Sequence, residues 1–507
     1  MLKYGAIAGG ENSTVDAAFQ ILENGGNAFD AAVGAVFTSM VSEYTLTGAG
    51  GGGAFLACPV NSEPTLFDFF VDTPPPQKEK DLDFFSIQVD CGPSQQEFHI
   101  GESSVAIPGN TAGLLMVHKR LGCLPLKTVL EPSILAARSG VIINKAQAYL
   151  INILEPILTH SQAGLDLFRP NGELLSHGDR FQNPAFADFL EILVHEGARY
   201  FYEGDGADLI LNTIGEKSLI TRECLASYGV IERVPLKSSF RGKTIFTNPP
   251  PSNGGALITF LLKLLDQAET GSASEFIRLV KAMEITSRAR REICHNAQYT
   301  SQISQVQEPN TFNYYLKLFN SGFSNIPNEL DPPSRGATTH VSILDKQGNA
   351  ASVTTTNGEG CGYVIPEMGI MLNNMLGEED LNPMGFHLWT RQQRLPTMMA
   401  PTVVMGKKGV ELVLGSGGSN RLRSAISQVI INFFVKGMDL KTAVHAARIH
   451  LEGNVLHFEP DTQLEDLPGD IQLHSWDDQN LFFGGVNAVT PNDACGDLRR
   501  GGSGLLR

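Results

Sequence analysis

The chain has 507 residues, of which 42% are hydrophobic and 18% charged, and a formal net charge of −16. This length permits more than one folding unit, and the charge argues against binding to nucleic acid or anionic lipid, because both would be repelled. No apolar run approaches the roughly 18 residues of a membrane span, and the N-terminus lacks a secretory signal, which predicts a cytoplasmic protein. The seven cysteines stand singly, so neither a metal site nor a disulfide framework is predicted.

The first half of the chain is predicted to be mainly helical. Apolar spacing predicts two helices over 13–41, separated by the Gly-Gly-Asn turn at 25–27. A glycine run at 48–53 follows, and then strand-like segments near 64–71. Further helices are predicted over 126–140, 185–197 and 254–267.

After Thr338 the pattern becomes rich in strands. Residues 339–356 predict two alternating strands around a Lys-Gln-Gly-Asn turn, which is a β-hairpin. Residues 409–437 predict a strand, a glycine loop and a helix, and GNVLHFEP and LFFGGVNAVT predict closing strands. No internal repeat or long linker is present, so the best internal boundary is the polar loop at 324–337.

Two glycine-rich segments could contact a phosphate or an oxyanion. The run 48–53 contains a formal GxGxxG, but a helix precedes it and a strand follows, which favours a tight glycine turn over a dinucleotide site. GSGGSNR, residues 415–421, lies between a strand and a helix and lacks the P-loop lysine. Its backbone N–H groups could hold a negative oxygen, or it could be an ordinary turn capped by Ser419 or Asn420.

Thr338 has an ordinary and a catalytic interpretation. Threonine favours strands, and a Thr-Thr pair at a strand start is common. If the chain were cut before Thr338, the freed α-amino group could act as base for the hydroxyl of the same residue, which is the chemistry of an N-terminal nucleophile. The segment SRGATTHVSIL alone leaves both interpretations open.

Ordered motifs along nearly the whole chain carry a family resemblance. They include AAFQILENGGNAFDAAVGA, TGAGGGGAFL, NPPPSNGGA, TTHVSILDKQGNAASVTTT, GIMLNNMLGE and GDLRRGGSG. With these motifs the chain resembles the γ-glutamyltransferase (γ-glutamyl transpeptidase) family of N-terminal-nucleophile hydrolases. The resemblance implies an α+β fold, a four-layer αββα sandwich, that works without cofactor or metal. It also implies self-cleavage between Ala337 and Thr338 into a large chain, 1–337, and a small chain, 338–507, that stay associated.

The resemblance implies a set of catalytic residues. Thr338 matches the nucleophile, and Thr356 matches a second threonine that hydrogen-bonds the nucleophile and its amine. Gly417 and Gly418 match the loop that forms the oxyanion hole. Relatives often have Gly-Ser-Pro-Gly-Gly-Ser where this chain has GSGGSN, so Ser419 is an alternative second donor.

The substrate-binding residues depart from the family pattern. Phe70 stands where familiar members hold the glutamyl α-carboxylate with an arginine, and no arginine occurs before Arg120. An aromatic ring cannot replace a bidentate carboxylate clamp. The other substrate-contacting positions of the family correspond to Asn357, Met375, Glu378, Thr397 and Met398.

The sequence therefore predicts a self-processing amidohydrolase or acyltransferase and leaves its substrate open. The family name implies glutathione or another γ-glutamyl amide, whose ammonium Glu378 or Glu379 could hold, although these residues could equally form an exposed acidic loop. A different N-acyl compound could instead contact Phe70, Met375 and Met398. A third alternative is an unprocessed relative without activity.

Overall fold

The computed structural model describes residues 3–76, 81–90, 95–269, 273–294, 301–321, 337–382, 385–389, 392–467 and 471–507. The strands follow in chain order: β1 (Gly5–Gly9), β2 (Gly52–Cys58), β3 (Thr65–Phe69), β4 (Phe85–Asp90), β5 (Gln95–Ile100), β6 (Val141–Ile142), β7 (Arg180–Phe181), β8 (Ile231–Arg233), β9 (Leu236–Phe240), β10 (Lys243–Thr247), β11 (Thr339–Asp345), β12 (Ala350–Thr356), β13 (Val364–Ile365), β14 (Ile370–Met371), β15 (Thr402–Gly406), β16 (Gly409–Gly417), β17 (Ile449–Glu452), β18 (Val455–Phe458), β19 (Gln472–Ser475), β20 (Gly485–Thr490), β21 (Asp493–Cys495) and β22 (Ser503–Leu506).

The helices follow in the same order: α1 (Asn12–Glu23), α2 (Ala28–Ser42), α3 (Asn110–Leu121), α4 (Leu126–Ser139), α5 (Lys145–Leu158), α6 (Gln162–Phe168), α7 (Pro184–Glu196), α8 (Ala198–Tyr202), α9 (Asp205–Ile214), α10 (Arg222–Ala226), α11 (Asn253–Gln267), α12 (Glu275–Cys294), α13 (Pro309–Asn320), α14 (Leu422–Phe434) and α15 (Leu440–His445). Within the described ranges, none of them combines the length and apolar character that a bilayer crossing requires.

Two antiparallel sheets pack face to face at the centre of the molecule. One has seven strands in the order β22-β1-β11-β12-β2-β3-β8, and the other has six in the order β21-β20-β16-β15-β10-β9. Successive side chains of a strand point to opposite faces, so each sheet contributes one face to a shared core of small and branched side chains. That core includes Ala6, Ala54, Leu56, Leu344, Val413 and Val489.

Helices cover the outer face of each sheet. A large apolar cluster joins the seven-stranded sheet to α1, α2, α4 and α7, and a second cluster joins the six-stranded sheet to α11, α12 and α14. The alternation of β11 fits this arrangement, because Val341 and Ile343 belong to the helix-facing cluster whereas Leu344 belongs to the core between the sheets. The four layers confirm the predicted αββα sandwich.

Local sequence signals account for several of these elements. Asn27 caps α2 by accepting the N–H groups of Phe29 and Asp30, while the Asp30 carboxylate accepts the N–H of Asn27, so the predicted break between the first two helices is confirmed. The predicted hairpin forms β11 and β12. One prediction is wrong: Leu481–Phe483 is a turn of 3₁₀-helix, and the strand begins only after Gly484, whose φ is +82°.

The glycine run at 48–53 has a packing explanation. A side chain at Gly51 would overlap the carbonyl oxygen of Thr356, and one at Gly53 would lie 2.5 Å from the Phe69 ring. The run therefore lets β2 and the end of β12 approach each other closely. The predicted tight turn is also present, because the N–H of Gly51 donates to the carbonyl oxygen of Gly48 at 3.0 Å.

A buried ion network holds the C-terminal segment. The Asp497 carboxylate accepts hydrogen bonds from Arg448 Nη2 at 2.6 Å and from Arg499 Nη1 at 3.2 Å, and the side chains of all three residues are 0–2% exposed. Burial opposes the ionisation of Asp497, but the two guanidinium groups outweigh it and lower its pKa to about 2. Arg499 also donates to Glu459 Oε1 at 2.7 Å, whereas the side-chain ion pair of Arg448 is with Asp497.

We expect Asp497→Ala to lower the free energy of unfolding by about 3 to 5 kcal/mol, because two buried guanidinium groups would lose their shared counter-charge. Urea denaturation followed by circular dichroism measures the change. Asp478→Ala removes an exposed carboxylate and serves as the matched control. Equal denaturation midpoints for the two variants would contradict the importance of the network.

Six cysteines lie in the described residues, and all six are free thiols. Four of them are buried, and Cys123 is exposed. Cys91 and most of the predicted boundary loop at 324–337 lie outside the described residues.

Candidate active site

Thr338 lies directly before β11, between the two sheets. Ala337 and Thr338 are 4% and 5% exposed. The carbonyl oxygen of Thr338 accepts a hydrogen bond from Arg500 Nη1 at 3.3 Å, and a side chain at Gly417 of β16 would overlap this oxygen. The predicted nucleophile is thus fixed by the opposite sheet and by the C-terminal segment.

Thr356 lies beside the Ala337–Thr338 junction. β12 pairs with β11 so that Thr355 is opposite Thr339, which places Thr356 opposite Thr338. Thr356 Oγ1 donates to the carbonyl oxygen of Ala337 and accepts the N–H of Gly358 at 3.1 Å. Its hydroxyl proton is therefore directed at the carbonyl that the nucleophile would attack.

The predicted oxyanion loop reaches the same place from β16. Gly418 has a φ of +120°, and a side chain there would lie 3.0 Å from the Cα of Gly484. Ser419 also has a positive φ, +46°, and its hydroxyl donates to Asp380 Oδ2 at 2.8 Å. The structure thus brings Gly417 against Thr338 and ties the side chain of Ser419 to an acidic residue.

The apolar residues predicted to contact substrate do not form one surface. Phe70 and Met375 belong to the same compact cluster and are 2% and 0% exposed. Met398 packs in the separate core beneath the six-stranded sheet. Phe70 and Met375 therefore fill the space beside the site instead of lining an open pocket.

Thr397 and Asn357, two further predicted substrate contacts, make hydrogen bonds with other parts of the chain. Thr397 Oγ1 accepts the N–H of Met399 at 3.1 Å, and its carbonyl accepts Ser252 Oγ at 3.0 Å. Asn357 Nδ2 donates to the carbonyl oxygen of Met371 at 3.1 Å. Thr397 thus joins its segment to Ser252 through its backbone, and Asn357 Nδ2 joins the end of β12 to β14, while the buried Asn357 Oδ1 has no hydrogen-bond partner among the described residues.

Arg394 is a buried cation beside Phe70 that sequence reasoning missed. Its Nε donates to Asp72 Oδ1 at 2.6 Å, its Nη1 to Asp68 Oδ1 at 2.9 Å, and its Nη2 to the carbonyl oxygen of Gly229 at 2.7 Å. The guanidinium also lies 5.1 Å from the Tyr228 ring centroid. An arginine thus reaches the Phe70 segment from far along the chain, but its donors already have partners.

Three carboxyl groups lie close together at the junction. Glu359 is 5% exposed, and Glu378 and Asp380 are partly buried. Burial raises the pKa of Glu359 to about 7, and burial together with the charges of Glu359 and Asp380 raises the pKa of Glu378 well above its usual range. Sequence reasoning found Glu378 but missed Glu359, whose only local signal is its place in the glycine-rich turn after Thr356.

A neutral histidine lies between the sheets, two residues after Thr338 in β11. His340 Nδ1 lies 2.7 Å from Thr354 Oγ1, and Nε2 lies 2.9 Å from Ser342 Oγ. Complete burial lowers the pKa of His340 to about 3, so the ring is uncharged at neutral pH. The hydrogen bond between His340 and Thr354 joins β11 to β12 close to Thr338.

Comparison with known proteins identifies the family to which this chain is similar. The model of the gamma-glutamyltranspeptidase family matches residues 14–505. The glutathione hydrolase proenzyme of Escherichia coli K12 is 29% identical over 485 residues, which cover 88% of this chain and 81% of the relative. Acylase ACY 1 proenzyme of Pseudomonas sp. SE83 is 28% identical, with 87% and 81% covered.

A solved structure confirms the fold. Cephalosporin acylase from Bacillus halodurans superimposes with a TM-score of 0.82 at 20% identity, and the match covers 99% of this chain and 96% of that one. The predicted resemblance is therefore confirmed both by the family match and by the arrangement of the layers. The chain belongs to the gamma-glutamyltranspeptidase family.

Proposed function

We propose that this protein is a self-processing threonine amidohydrolase or acyltransferase that acts on γ-glutamyl amides such as glutathione. One observation carries the proposal: the Ala337 carbonyl is buried beside Thr338 and accepts the Thr356 hydroxyl. The glycine loop that could hold an oxyanion lies against the same threonine.

Self-cleavage needs only groups of this chain and water. Thr338 Oγ adds to the carbonyl carbon of Ala337, the C–N bond breaks, and the hydroxyl proton passes to the departing amine. Water then hydrolyses the ester, which gives the Ala337 carboxylate and a free Thr338 N-terminus. The Thr356 hydroxyl stabilises the negative charge that develops on the Ala337 oxygen.

Substrate turnover repeats this chemistry with the new N-terminus as base. The α-amine of Thr338 takes the hydroxyl proton, Oγ attacks the substrate amide, and the proton leaves with the departing amine. The acyl group is then transferred from the ester to water or to an acceptor amine, which restores the Thr338 hydroxyl. N–H groups of the Gly417–Gly418 loop, with Ser419 as the alternative donor, would hold the oxyanion.

The two product chains would stay together as one unit, because both contribute strands to each sheet. In the seven-stranded sheet β1 and β2 of the 1–337 chain pair with β11, β12 and β22 of the 338–507 chain. In the six-stranded sheet β10 of the first chain pairs with β15 of the second. We place the enzyme in a reducing compartment, the cytoplasm, which the free thiols of the six described cysteines support.

The acidic residues favour a donor that carries an ammonium group. Burial and the charge of Asp380 oppose the ionisation of Glu359, and burial and the charges of Glu359 and Asp380 oppose that of Glu378. A bound cation would offset these effects. Each guanidinium nitrogen of Arg394 already donates to an oxygen of the protein, so we expect a substrate carboxylate to need another partner. We therefore propose recognition through the α-ammonium of a γ-glutamyl group. The second candidate is an acylase that takes neutral acyl groups, which the relative named acylase ACY 1 supports.

A comparison of two anilides tests the substrate class. We expect γ-glutamyl anilide to be hydrolysed with a kcat/KM at least about tenfold above that of a neutral butyryl anilide, on the scale of one ionic contact. Glu378→Gln should lower the γ-glutamyl value and leave the butyryl value unchanged. Equal rates for both anilides would instead support the acylase.

A further inference from the structure

We propose that Glu359 is a positioning residue for self-cleavage: its carboxylate holds the N–H of Ala337 and so aligns the peptide that Thr338 attacks. This inference rests on the proposed cleavage before Thr338. Glu359 belongs neither to the nucleophile nor to the oxyanion loop, and this inference gives it a role in the cleavage step.

Both polar groups of Ala337 are held by one short turn. Its N–H donates to the Glu359 carboxylate, and its carbonyl oxygen accepts the Thr356 hydroxyl. The next carbonyl, that of Thr338, is held by Arg500. Since Ala337 cannot rotate without losing a buried hydrogen bond, its carbonyl carbon is presented to the hydroxyl in one orientation.

The turn that carries Glu359 is itself rigid. Asn374 Oδ1 accepts the N–H of Glu359 at 2.9 Å and that of Gly360 at 3.3 Å, while Asn374 Nδ2 lies 3.4 Å from Glu359 Oε2. Gly358 has a φ of +59°, and a side chain there would overlap Asn374 Oδ1. The carboxylate is therefore delivered to Ala337 by a fixed backbone.

The charges around Glu359 make this hydrogen bond depend on pH. The acidic groups that face it are Glu378 and Asp380. At the same junction the Arg500 guanidinium donates to the carbonyl oxygen of Thr338. Burial raises the pKa of Glu359 to about 7, so the carboxylate predominates only above that pH. An ionised acceptor binds an N–H more strongly than a neutral one does, so the aligned junction is favoured as the pH rises through 7.

Cleavage also changes what Glu359 faces. When the C–N bond breaks, the nitrogen of Thr338 becomes an amine that can take up a proton, one residue from the Ala337 N–H that Glu359 held. An ionised Glu359 would then stabilise the new ammonium group by its charge. The same carboxylate thus favours both the aligned precursor and the cleaved product.

The rate of cleavage in three variants tests this role. Full-length chain from a short pulse of cell-free synthesis is moved into buffers that span about one pH unit on either side of 7, and denaturing gels follow the fraction cut. Glu359→Gln keeps an oxygen that can accept the N–H but does not ionise. Glu359→Ala removes the acceptor, and Glu367→Gln removes an exposed carboxylate as the matched control.

We expect the wild-type chain and Glu367→Gln to cleave faster as the pH rises through 7. Glu359→Gln should lose that rise, and Glu359→Ala should cleave at least about tenfold more slowly at the upper pH, the scale of one lost charged hydrogen bond. Circular dichroism checks that each variant is folded. An unchanged pH profile for Glu359→Gln overturns the inference, whereas a wild-type chain that never cleaves overturns the proposed function instead.

Discussion

Replacing Thr338 by alanine is expected to leave one full-length species and to lower amide hydrolysis by at least about 10,000-fold, because nucleophile and base are lost together. The surrounding structure should be retained, since the hydrogen bond that Thr338 accepts from Arg500 uses the backbone oxygen. A denaturing gel and an anilide assay on the same preparation measure both effects.

Thr338→Ser is the matched control for this experiment. It keeps the hydroxyl and, after cleavage, the α-amine, so it should still yield chains of 337 and 170 residues, the latter being 507 minus 337. N-terminal sequencing of the smaller chain identifies the cut. Two chains from Thr338→Ala, or a cut elsewhere in the wild type, would show that another residue performs the cleavage.

Gly417→Ala is expected to lower kcat by about 100-fold or more. The new methyl group would overlap the carbonyl oxygen of Thr338, so the loop and the nucleophile would have to move apart. Removal of one oxyanion donor has an effect of this size in other hydrolases. The measurement is kcat for the γ-glutamyl anilide, made on enzyme whose self-cleavage is complete.

Gly229→Ala provides the comparison for Gly417→Ala. Gly229 also lies outside helices, has no positive φ, and has open space where a methyl group would be added. We expect its activity to remain within about twofold of the wild-type value, as for most surface substitutions. If Gly417→Ala behaved in the same way, the loop would not hold the oxyanion.

Local patterns predicted much of the fold, because they are set by neighbours in the chain. Alternation in 339–356 gave the hairpin, and the Asn27 cap marked the start of α2. The ordered motifs also pointed to Thr356 and Gly417, which the structure places beside Ala337 and Thr338. Each of these predictions concerns a short segment whose structure depends mainly on residues close to it in the sequence.

The features that sequence reasoning missed depend on distant pairing. Arg394 meets Asp68 across 326 positions, so no local pattern could place it beside Phe70. Glu359 meets Ala337 only because β12 returns beside β11. The burial of Phe70 in a packed cluster could likewise be recognised only once its neighbours were known.

The shared sheets determine the order in which this enzyme can be made. β1 of the proposed large chain lies between β11 and β22 of the proposed small chain, so neither chain would have a complete central sheet of its own. Folding would therefore have to precede the proposed cut. Until then the peptide connection between Ala337 and Thr338 keeps strand pairing within one chain while the sheets form. After the cut, denaturation would separate the two chains, and refolding would require them to associate again. The yield of refolded protein should therefore rise with protein concentration for the cleaved enzyme but not for the uncut Thr338→Ala chain.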